Sequence, residues 1–205
     1  MSHRTNFKAH PWHGISPGAL APHQVIAFIE IIPSDSVKYE IDKETGYLMV
    51  DRPQRYSNRC PALYGFIPQT FCGDNVGKLA SSSDKDTPVE GDGDPLDICV
   101  LAEKHMLHGD ILVRAIPIGG FRMIDRGEAD DKIIAVLADD ALYGEYRDLN
   151  ACPKGILSSL EHYFLTYKQL PSEPKSVEIS ERYGVQSAHQ VIQAAREDYA
   201  RAYPL

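Results

Sequence analysis

The stretch Asp92-Gly93-Asp94-Pro95-Leu96-Asp97 places three carboxylates within six residues. A glycine and a proline between the acids predict a stiff turn that directs them to one side. Mg²⁺ takes oxygen ligands in near-octahedral geometry and keeps several waters, so a few carboxylates are enough to hold it. We therefore predict that residues 92–97, called the acidic turn below, hold a hard divalent cation.

A second acidic segment, residues 125–132, lies between two predicted strands. If the two segments converge, Asp92, Asp97, Asp125 and Asp130 supply enough oxygen atoms for two or more cations. A pair of cations about 3.5–4 Å apart can both activate a water molecule and polarise a phosphoryl oxygen. Each segment taken singly is typical of a solvated turn, and only their joint occurrence favours a site.

Other metal sites match the sequence less well. An EF-hand is excluded because Asp97 stands where the invariant glycine of that loop belongs. The sequence has no HExxH motif, so zinc-dependent hydrolysis is poorly supported. His105 and His108, three residues apart after a predicted strand, are typical of turn residues.

The length and charge of the chain limit its class. A chain of 205 residues that is 43% hydrophobic predicts one domain, residues 1–205. The formal net charge of -8 argues against binding to nucleic acid or to an anionic membrane. Four cysteines without a CxxC pair, no signal peptide and no long apolar run predict reduced thiols in a cytoplasmic protein.

Two segments are predicted to lie outside the core. Residues 1–23 carry four histidines without periodicity, a pattern that favours a loosely ordered N-terminal arm over a metal-binding tract. Residues 73–90 are rich in glycine, serine and charge, and they predict a surface insertion.

Runs of β-branched and aromatic residues predict many short strands followed by two helices. Such a pattern favours a small closed barrel. The first helix begins near Pro153 and ends before Pro171, and a capping box at residues 187–190 announces the second. The predicted strands are residues 25–32, 37–41, 47–50, 96–101, 111–116, 120–124 and 133–137.

Cations and hydroxyl donors, which bind phosphate, recur at the ends of these elements. Alternation in strand 37–41 places Lys38 and Glu40 on one face, which is also typical of a solvated surface. A core tyrosine and a cation that complements the helix dipole are the ordinary alternatives for Tyr167 and Lys168. The candidates are Lys38, Arg52, Tyr64, Lys132, Tyr167 and Lys168.

These motifs, in this order and spacing, resemble the soluble family I inorganic pyrophosphatases over roughly residues 26–170. The Asp-x-Asp-Pro-x-Asp block is the most specific of them. The resemblance implies an α+β fold, a five-stranded OB-type closed β-barrel with flanking α-helices. It also implies a homo-oligomeric inorganic diphosphatase that hydrolyses pyrophosphate to two orthophosphates with several Mg²⁺ ions per active site. The matching pieces are residues 29–31, 37–43, 50–52, 61–65, 92–97, 125–132 and 163–168.

The resemblance also implies individual roles. Asp92, Asp97 and Asp130 bind the first cation, Asp97 bridges to a second, and Asp125 with Asp130 holds a cation that arrives with the substrate. Asp94 is implied as the general base toward the bridging water. The six candidates above match the family's phosphate contacts. The accessory acids that organise metal-bound water are Glu30 and Glu40.

One departure from the family lies beside these motifs. Many members have a tyrosine before the proline that matches Pro61, and this chain has Cys60 there. The alternative function is a non-catalytic OB-type module that binds single-stranded nucleic acid, which needs a basic groove interleaved with aromatic side chains. The aspartates expected on this face disfavour that alternative.

Overall fold

The computed structural model describes residues 8–81, 88–169 and 175–204. The strands are β1 Val25–Ile31, β2 Val37–Ile41, β3 Leu48–Pro53, β4 Leu63–Phe66, β5 Glu90–Gly91, β6 Asp97–Leu101, β7 Ile111–Asp125, β8 Glu128–Ala129, β9 Lys132–Leu137 and β10 Val177–Gly184. The helices are α1 Asp74–Ala80, α2 Lys154–Thr166 and α3 Val185–Ala202, with a 3₁₀ turn at Leu149–Ala151. None of these helices combines the length and apolar character needed to cross a membrane.

Five of the strands pair in a ring. β1 pairs with β4, β4 with β6, β6 with β9, β9 with β7, and β7 returns to β1. The pairing of β6 with β9 is parallel, and the other four are antiparallel. β2 and β3 form a separate hairpin, and β10 pairs with β7 outside the ring. This arrangement confirms the α+β class and the five-stranded OB-type architecture with flanking helices.

The central ring strand β9 is buried on both faces because side chains of a different helix pack against each face. Successive residues of a strand point to opposite sides. In β9, Ile133 belongs to a cluster with Ile192 of α3, whereas its neighbour Ile134 belongs to a cluster with Leu160 and Phe164 of α2. Near-continuous apolar runs such as β9 are expected for strands buried on both faces.

The longest strand differs from its prediction. Residues 111–116 and 120–124 are predicted as two strands with a turn between them, but β7 runs without a break for 15 residues. The register against β9 shifts between Pro117 and Gly119, which is a β-bulge rather than a turn. The bulge lets one strand pair with β1 near its beginning and with β10 near its end.

The segment 73–90, predicted as a surface insertion, differs from that expectation at α1. Val76 is fully buried in the same cluster as α3. The helix lacks a local capping side chain, but the carboxylate of Asp198 in α3 accepts the backbone N–H groups of Gly73, Asn75 and Val76. A partner more than a hundred residues away along the chain leaves no signal in the local sequence. Residues 82–87 lie outside the described residues.

The N-terminal segment is also more ordered than predicted. Residues 1–7 lie outside the described part of the chain, but residues 8–23 pack on the domain. The Trp12 ring is buried against Phe28, Ile41 and Phe66. The prediction of a loosely ordered arm is therefore wrong for this part, because one aromatic side chain supplies enough apolar area to fix the segment.

The second predicted helix begins earlier than its predicted cap. α3 starts at Val185, so the predicted capping box at residues 187–190 lies inside the helix. The N–H of Val185 instead donates to Asp148 Oδ2 at 2.9 Å. The first predicted helix is confirmed as α2. β4 and β10 are not predicted at all, since their short or strongly charged sequences carry a weak strand pattern.

Candidate active site

The acidic turn lies between β5 and β6 and is held from both sides. Gly93 has φ +76°, a left-handed conformation that a glycine adopts without strain. The Asp94 N–H donates to Asp92 Oδ1 at 3.0 Å, a local bond that tightens the turn. Cys72 donates its N–H to the Asp94 carbonyl and accepts the N–H of Gly93. The three acids therefore have a fixed backbone, as the glycine and proline predict.

A pocket opens above this turn. It is lined by Asp92, Asp94, Asp97, Asp130, Lys38, Lys132, Tyr64, Tyr167, Lys168, Glu30 and Glu40, together with Ile41, Lys43, Phe66 and Pro95. Every predicted site residue except Asp125 and Arg52 therefore lines this one pocket. His105 and His108 are exposed and line a different depression or none.

Lys132 lies at the centre of the pocket floor. Its side chain is 1% exposed, and its ammonium group donates to both Asp97 and Asp130. Burial alone lowers the pKa of a lysine, but the charges of Asp130 and Asp97 raise the pKa of Lys132 well above its ordinary value. The Tyr64 hydroxyl donates to the same Asp97 Oδ2 at 2.5 Å. Lys132 is therefore charged at any physiological pH.

Burial and mutual repulsion disfavour the ionised form of several carboxylates in the pocket. Burial, and next the charge of Asp130, raises the pKa of Asp92 to about 8. Burial likewise raises the pKa of Glu30 to about 8, although its carboxylate accepts the N–H of Ile41 at 2.7 Å. Carboxylates that repel in this way are stabilised in the ionised form by nearby positive charge.

The hairpin of β2 and β3 forms one wall. Lys38 Nζ lies 2.6 Å from Glu40 Oε2 and 3.0 Å from Asp51 Oδ2. Arg52 pairs with Asp51, and its guanidinium lies 5.9 Å from the centre of the Tyr167 ring. Arg52 is therefore beside the pocket, adjacent to a residue that lines it, rather than in the wall.

Asp125 lies on the opposite side, at the end of β7. Its Oδ2 accepts a hydrogen bond from Lys168, which follows α2 and lines the pocket. Its Oδ1 is buried, and no group in the described residues donates to it. Tyr167 is buried, and that burial raises the pKa of its hydroxyl. The end of α2 thus joins the second acidic segment to the pocket.

The carboxylate set fits a divalent cation. All of its donor atoms are oxygens, the ligands that Mg²⁺ and similar hard cations prefer. Within the described ranges, no three His, Cys, Asp or Glu side chains already converge as a ligand set, and the ammonium group of Lys132 pairs with both Asp97 and Asp130. A metal ion carries the same sign of charge as this ammonium group, and Asp125 Oδ1 offers a free buried oxygen. The carboxylates of Asp97 and Asp130, which already bind the ammonium group of Lys132, therefore suit a metal cation in the same place.

Lys43 was not among the predicted site residues, and it lines the pocket. Its ammonium group pairs with Asp94, and both side chains are partly exposed. It lies two residues past Ile41, at the start of the hairpin loop, where its local sequence is typical of any hairpin lysine. Only its position across the pocket from the acidic turn distinguishes it.

Cys60, the departure from the family pattern, is buried in the cluster that contains Tyr64 and Tyr163. Burial and a hydrogen bond with the Cys60 thiol raise the pKa of Cys99 well above its ordinary value. A buried thiol that contacts Cys99 thus stands where the family resemblance implies a tyrosine hydroxyl. All four cysteines are free and buried.

A small OB-type ring with aspartates and lysines clustered in a pocket at one end has the oxygen ligands and positive charges expected of a phosphate-handling enzyme that uses divalent cations. The family model described as inorganic pyrophosphatase matches residues 27–200. The chain therefore belongs to the inorganic pyrophosphatase family, which confirms the resemblance to the family I proteins.

Similar proteins agree with this assignment. An inorganic pyrophosphatase of Chlamydia muridarum is 51% identical over 199 residues, which covers 95% of each chain. Soluble inorganic pyrophosphatase 3 of Arabidopsis thaliana is 39% identical over 197 residues, 96% of this chain and 82% of that one. The crystal structure of the Thermus thermophilus inorganic pyrophosphatase matches with a TM-score of 0.78 at 29% identity, covering 93% of this chain and 99% of that chain. The family implies a divalent metal cofactor.

Proposed function

We propose that this protein, an inorganic diphosphatase by its family membership, uses Mg²⁺ to hydrolyse pyrophosphate to two orthophosphates. The observation that carries the proposal is the position of Lys132, which donates to Asp97 of the acidic turn and to Asp130 of the second acidic segment. It brings the two groups of carboxylates to one buried place beside several phosphate-binding cations. Membership of the inorganic pyrophosphatase family supports the substrate.

The carboxylates are assigned to the cations. Asp92, Asp97 and Asp130 would hold one cation, Asp97 would also serve a second, and Asp125 with Asp130 would hold a further one. When bound, such cations supply charge neutralisation at the phosphate oxygens and lower the pKa of an attacking water. Several cations per site are consistent with a carboxylate cluster in which burial, and next the charge of Asp130, raises the pKa of Asp92 to about 8.

Asp94 is assigned as the general base that accepts the proton of the attacking water. Its side chain lines the pocket and is 41% exposed, so water reaches it. Lys43, which pairs with Asp94, holds the carboxylate toward the pocket. Glu30 and Glu40 line the same wall and are assigned to the waters around the cations.

The phosphate groups are assigned to Lys38, Arg52, Tyr64, Lys132, Tyr167 and Lys168. In phosphoryl transfer the protein does little covalent chemistry and contributes positioning and charge stabilisation. Ammonium and guanidinium groups on three sides of the pocket meet that requirement, because charge develops on several phosphate oxygens at once. Arg52 and Asp125 contact the lining residues Tyr167 and Lys168, so small side-chain movements bring them to the substrate.

The setting of the enzyme follows from the same features. We place it in the cytoplasm as a homo-oligomer, in keeping with its four free cysteines. A formal net charge of -8 and a pocket floor of aspartates do not suit a nucleic-acid or membrane partner.

The proposal is tested by measuring orthophosphate release from pyrophosphate by the purified full chain with Mg²⁺, with and without a chelator. We expect release that stops with the chelator and returns when Mg²⁺ is restored. Adenosine triphosphate serves as the comparison substrate and should be hydrolysed much more slowly. Hydrolysis of the triphosphate without hydrolysis of pyrophosphate would contradict the substrate assignment.

A further inference from the structure

The N-terminal segment is anchored close to the acidic turn. Trp12, the one tryptophan of the chain, is 3% exposed and packs with Phe28 and Phe66. Phe66 ends β4 and also lines the pocket. The anchor of this segment therefore stands directly behind one pocket wall.

Trp12 is bonded to the loop that follows β4. Its Nε1–H donates to the Thr70 carbonyl at 2.7 Å. Its own carbonyl accepts the N–H of Gln69 at 2.9 Å, and the Gln69 side-chain amide donates to the His13 carbonyl at 3.0 Å. Gln69 has φ +52°, a conformation that a non-glycine residue keeps only when its surroundings hold it. Three hydrogen bonds thus fix residues 12–13 to residues 69–70.

Thr70 carries this connection to the acidic turn. Its side chain is fully buried, and its hydroxyl accepts the N–H of Leu96 at 2.9 Å while donating to the Ile67 carbonyl at 2.5 Å. Ile67 in turn donates its N–H to the Leu96 carbonyl at 2.9 Å. Leu96 directly precedes Asp97, so the threonine hydroxyl fixes the backbone that presents this carboxylate.

The same loop also holds the other acids of the turn. The N–H of Cys72 donates to the Asp94 carbonyl at 2.8 Å, and the N–H of Gly93 donates to the Cys72 carbonyl at 3.0 Å. Residues 67–72 therefore line the acidic turn along its length. Trp12 donates a hydrogen bond to the Thr70 carbonyl of this loop. The acidic turn is bonded to the same loop through Gly93, Asp94 and Leu96.

We propose that Trp12 and Thr70 are positioning residues for the acidic turn, so that the N-terminal segment sets the affinity of the protein for its divalent cation. This inference rests on the proposed role of Asp92 and Asp97 as cation ligands. Groups that orient metal ligands commonly change metal affinity or activity by about 10–100-fold when they are removed. A buried backbone N–H that loses its acceptor also costs free energy, and the backbone shifts to recover a partner.

The test is a calorimetric titration of the full-length protein with Mg²⁺ in the absence of pyrophosphate. Thr70→Val removes the hydroxyl and keeps the shape of the side chain, and Thr70→Ser restores the hydroxyl. Trp12→Phe removes the indole donor and keeps an aromatic ring. These variants separate the hydrogen bonds from the packing around them.

The matched control is Tyr199→Phe. The Tyr199 hydroxyl bonds His13 Nδ1 at 2.8 Å within the same aromatic cluster, but it does not contact Thr70 or the acidic turn in any bond described above. The control therefore weakens the attachment of the N-terminal segment without removing the bond between Trp12 and Thr70. Thermal unfolding is measured on every variant alongside the titration.

We expect Thr70→Val to weaken Mg²⁺ binding by about 10-fold or more, Trp12→Phe to act in the same direction, and Thr70→Ser to bind as the wild type does. Tyr199→Phe should unfold at a lower temperature and keep the wild-type affinity. If Thr70→Val does not fold, Trp12→Phe decides the question. Wild-type affinity in folded Thr70→Val or Trp12→Phe would overturn the inference alone, whereas wild-type protein that neither binds Mg²⁺ nor hydrolyses pyrophosphate would overturn the proposed function with it.

Discussion

The two acidic segments of the pocket are built in different ways. In the acidic turn the three carboxylates lie within six residues, and Gly93 with φ +76° and a bond between neighbours, Asp94 N–H to Asp92, form the turn locally. In residues 125–132, by contrast, the backbone is fixed by Asp131, an acid that faces away from the pocket. Asp131 is buried and accepts the Tyr183 hydroxyl at 2.7 Å, with Arg122 Nε at 3.4 Å.

Asp131 separates two groups that line the pocket, Asp130 and Lys132. Successive residues of an extended chain point to opposite sides, so anchoring Asp131 behind the strand turns its neighbours toward the pocket. The Arg122 guanidinium also lies 5.2 Å from the centre of the Tyr183 ring. The shape of the first segment is thus formed by its own residues and then braced by the loop 67–72, whereas the second depends on contacts with β7 and β10. Because the two segments are held by different contacts, we expect substitutions in them to have different effects on activity and on stability.

The largest effect is expected from a substitution that removes the proposed base of the acidic turn and leaves the backbone of the turn intact. Asp94→Asn keeps the N–H that bonds Asp92 but removes the proposed general base. We expect kcat for pyrophosphate to fall by about 10²–10⁴-fold, with little change in the unfolding temperature. Asp139→Asn, whose side chain is 84% exposed, is the matched control and should turn over normally. Wild-type kcat in Asp94→Asn would remove the general-base assignment.

The second effect breaks the anchor of the other segment. Asp131→Ala leaves Arg122 and the Tyr183 hydroxyl without their buried acceptor, and we expect the free energy of unfolding to fall by about 3 kcal/mol. Tyr183→Phe, which keeps the carboxylate, should cost about 1 kcal/mol. Urea denaturation measures both. Equal losses in Asp131→Ala and in Asp139→Asn, an exposed control that keeps a side chain suited to the φ of +65° at that position, would show that the anchor contributes nothing.

A third experiment sharpens the comparison with one substitution in each segment. Gly93 and Gly127 have φ +76° and +93°, and a Cβ at either position has no neighbour within 4 Å. Alanine at either position should therefore lower the free energy of unfolding by about 1–2 kcal/mol through backbone strain, without a steric clash. Gly93→Ala should also weaken Mg²⁺ binding in calorimetry, because Gly93 lies between two acids of the turn. Gly127→Ala, three residues from Asp130, should bind Mg²⁺ more nearly as the wild type does; the reverse order would contradict the comparison.

The smallest effect concerns the residue that the sequence did not reveal. Lys43 pairs with Asp94 while 45% of its side chain is exposed, so its interaction is screened by solvent. We expect Lys43→Ala to raise KM for pyrophosphate by about 2–5-fold, the range of a partly exposed ion pair. Steady-state kinetics measure the change. Lys104→Ala, on an 82% exposed side chain paired with Glu103, should leave KM unchanged, and a matching change there would point to general charge effects.

Much of the pocket could be predicted because its residues lie at regular places in short motifs. Strict alternation in β2 places Lys38 with Glu40 on one face, and the structure puts both in the pocket wall. Tyr167 and Lys168 could not be separated from a core residue and a helix-end charge by pattern alone. Their position beside Arg52 and Asp125 depends on where α2 ends relative to the ring.

Three features that the local sequence does not predict share one physical cause: the burial of α1, the start of α3 and the order of the N-terminal segment. α1 is capped by Asp198, α3 by Asp148, and the N-terminal segment is fixed through Trp12 to Thr70. Each of these partners is distant in sequence, so the local pattern shows only glycine, serine and polar residues that are typical of loops. Hydrogen bonds to buried backbone groups need a partner somewhere, but the sequence does not say where.

The sequence by itself determined the ring strands β1, β6 and β9, the helix α2 and the acidic turn, because alternation, turn residues and acid spacing act over a few residues. Its resemblance to a known family indicated most of the side chains of the pocket. Only the tertiary structure decided that β7 runs through its bulge as one strand and that Lys132 lies between Asp97 and Asp130. It also decided that the N-terminal segment stands behind the acidic turn. These features depend on closing the ring, which brings distant residues into contact at one buried site where charge and hydrogen-bond partners must be satisfied together.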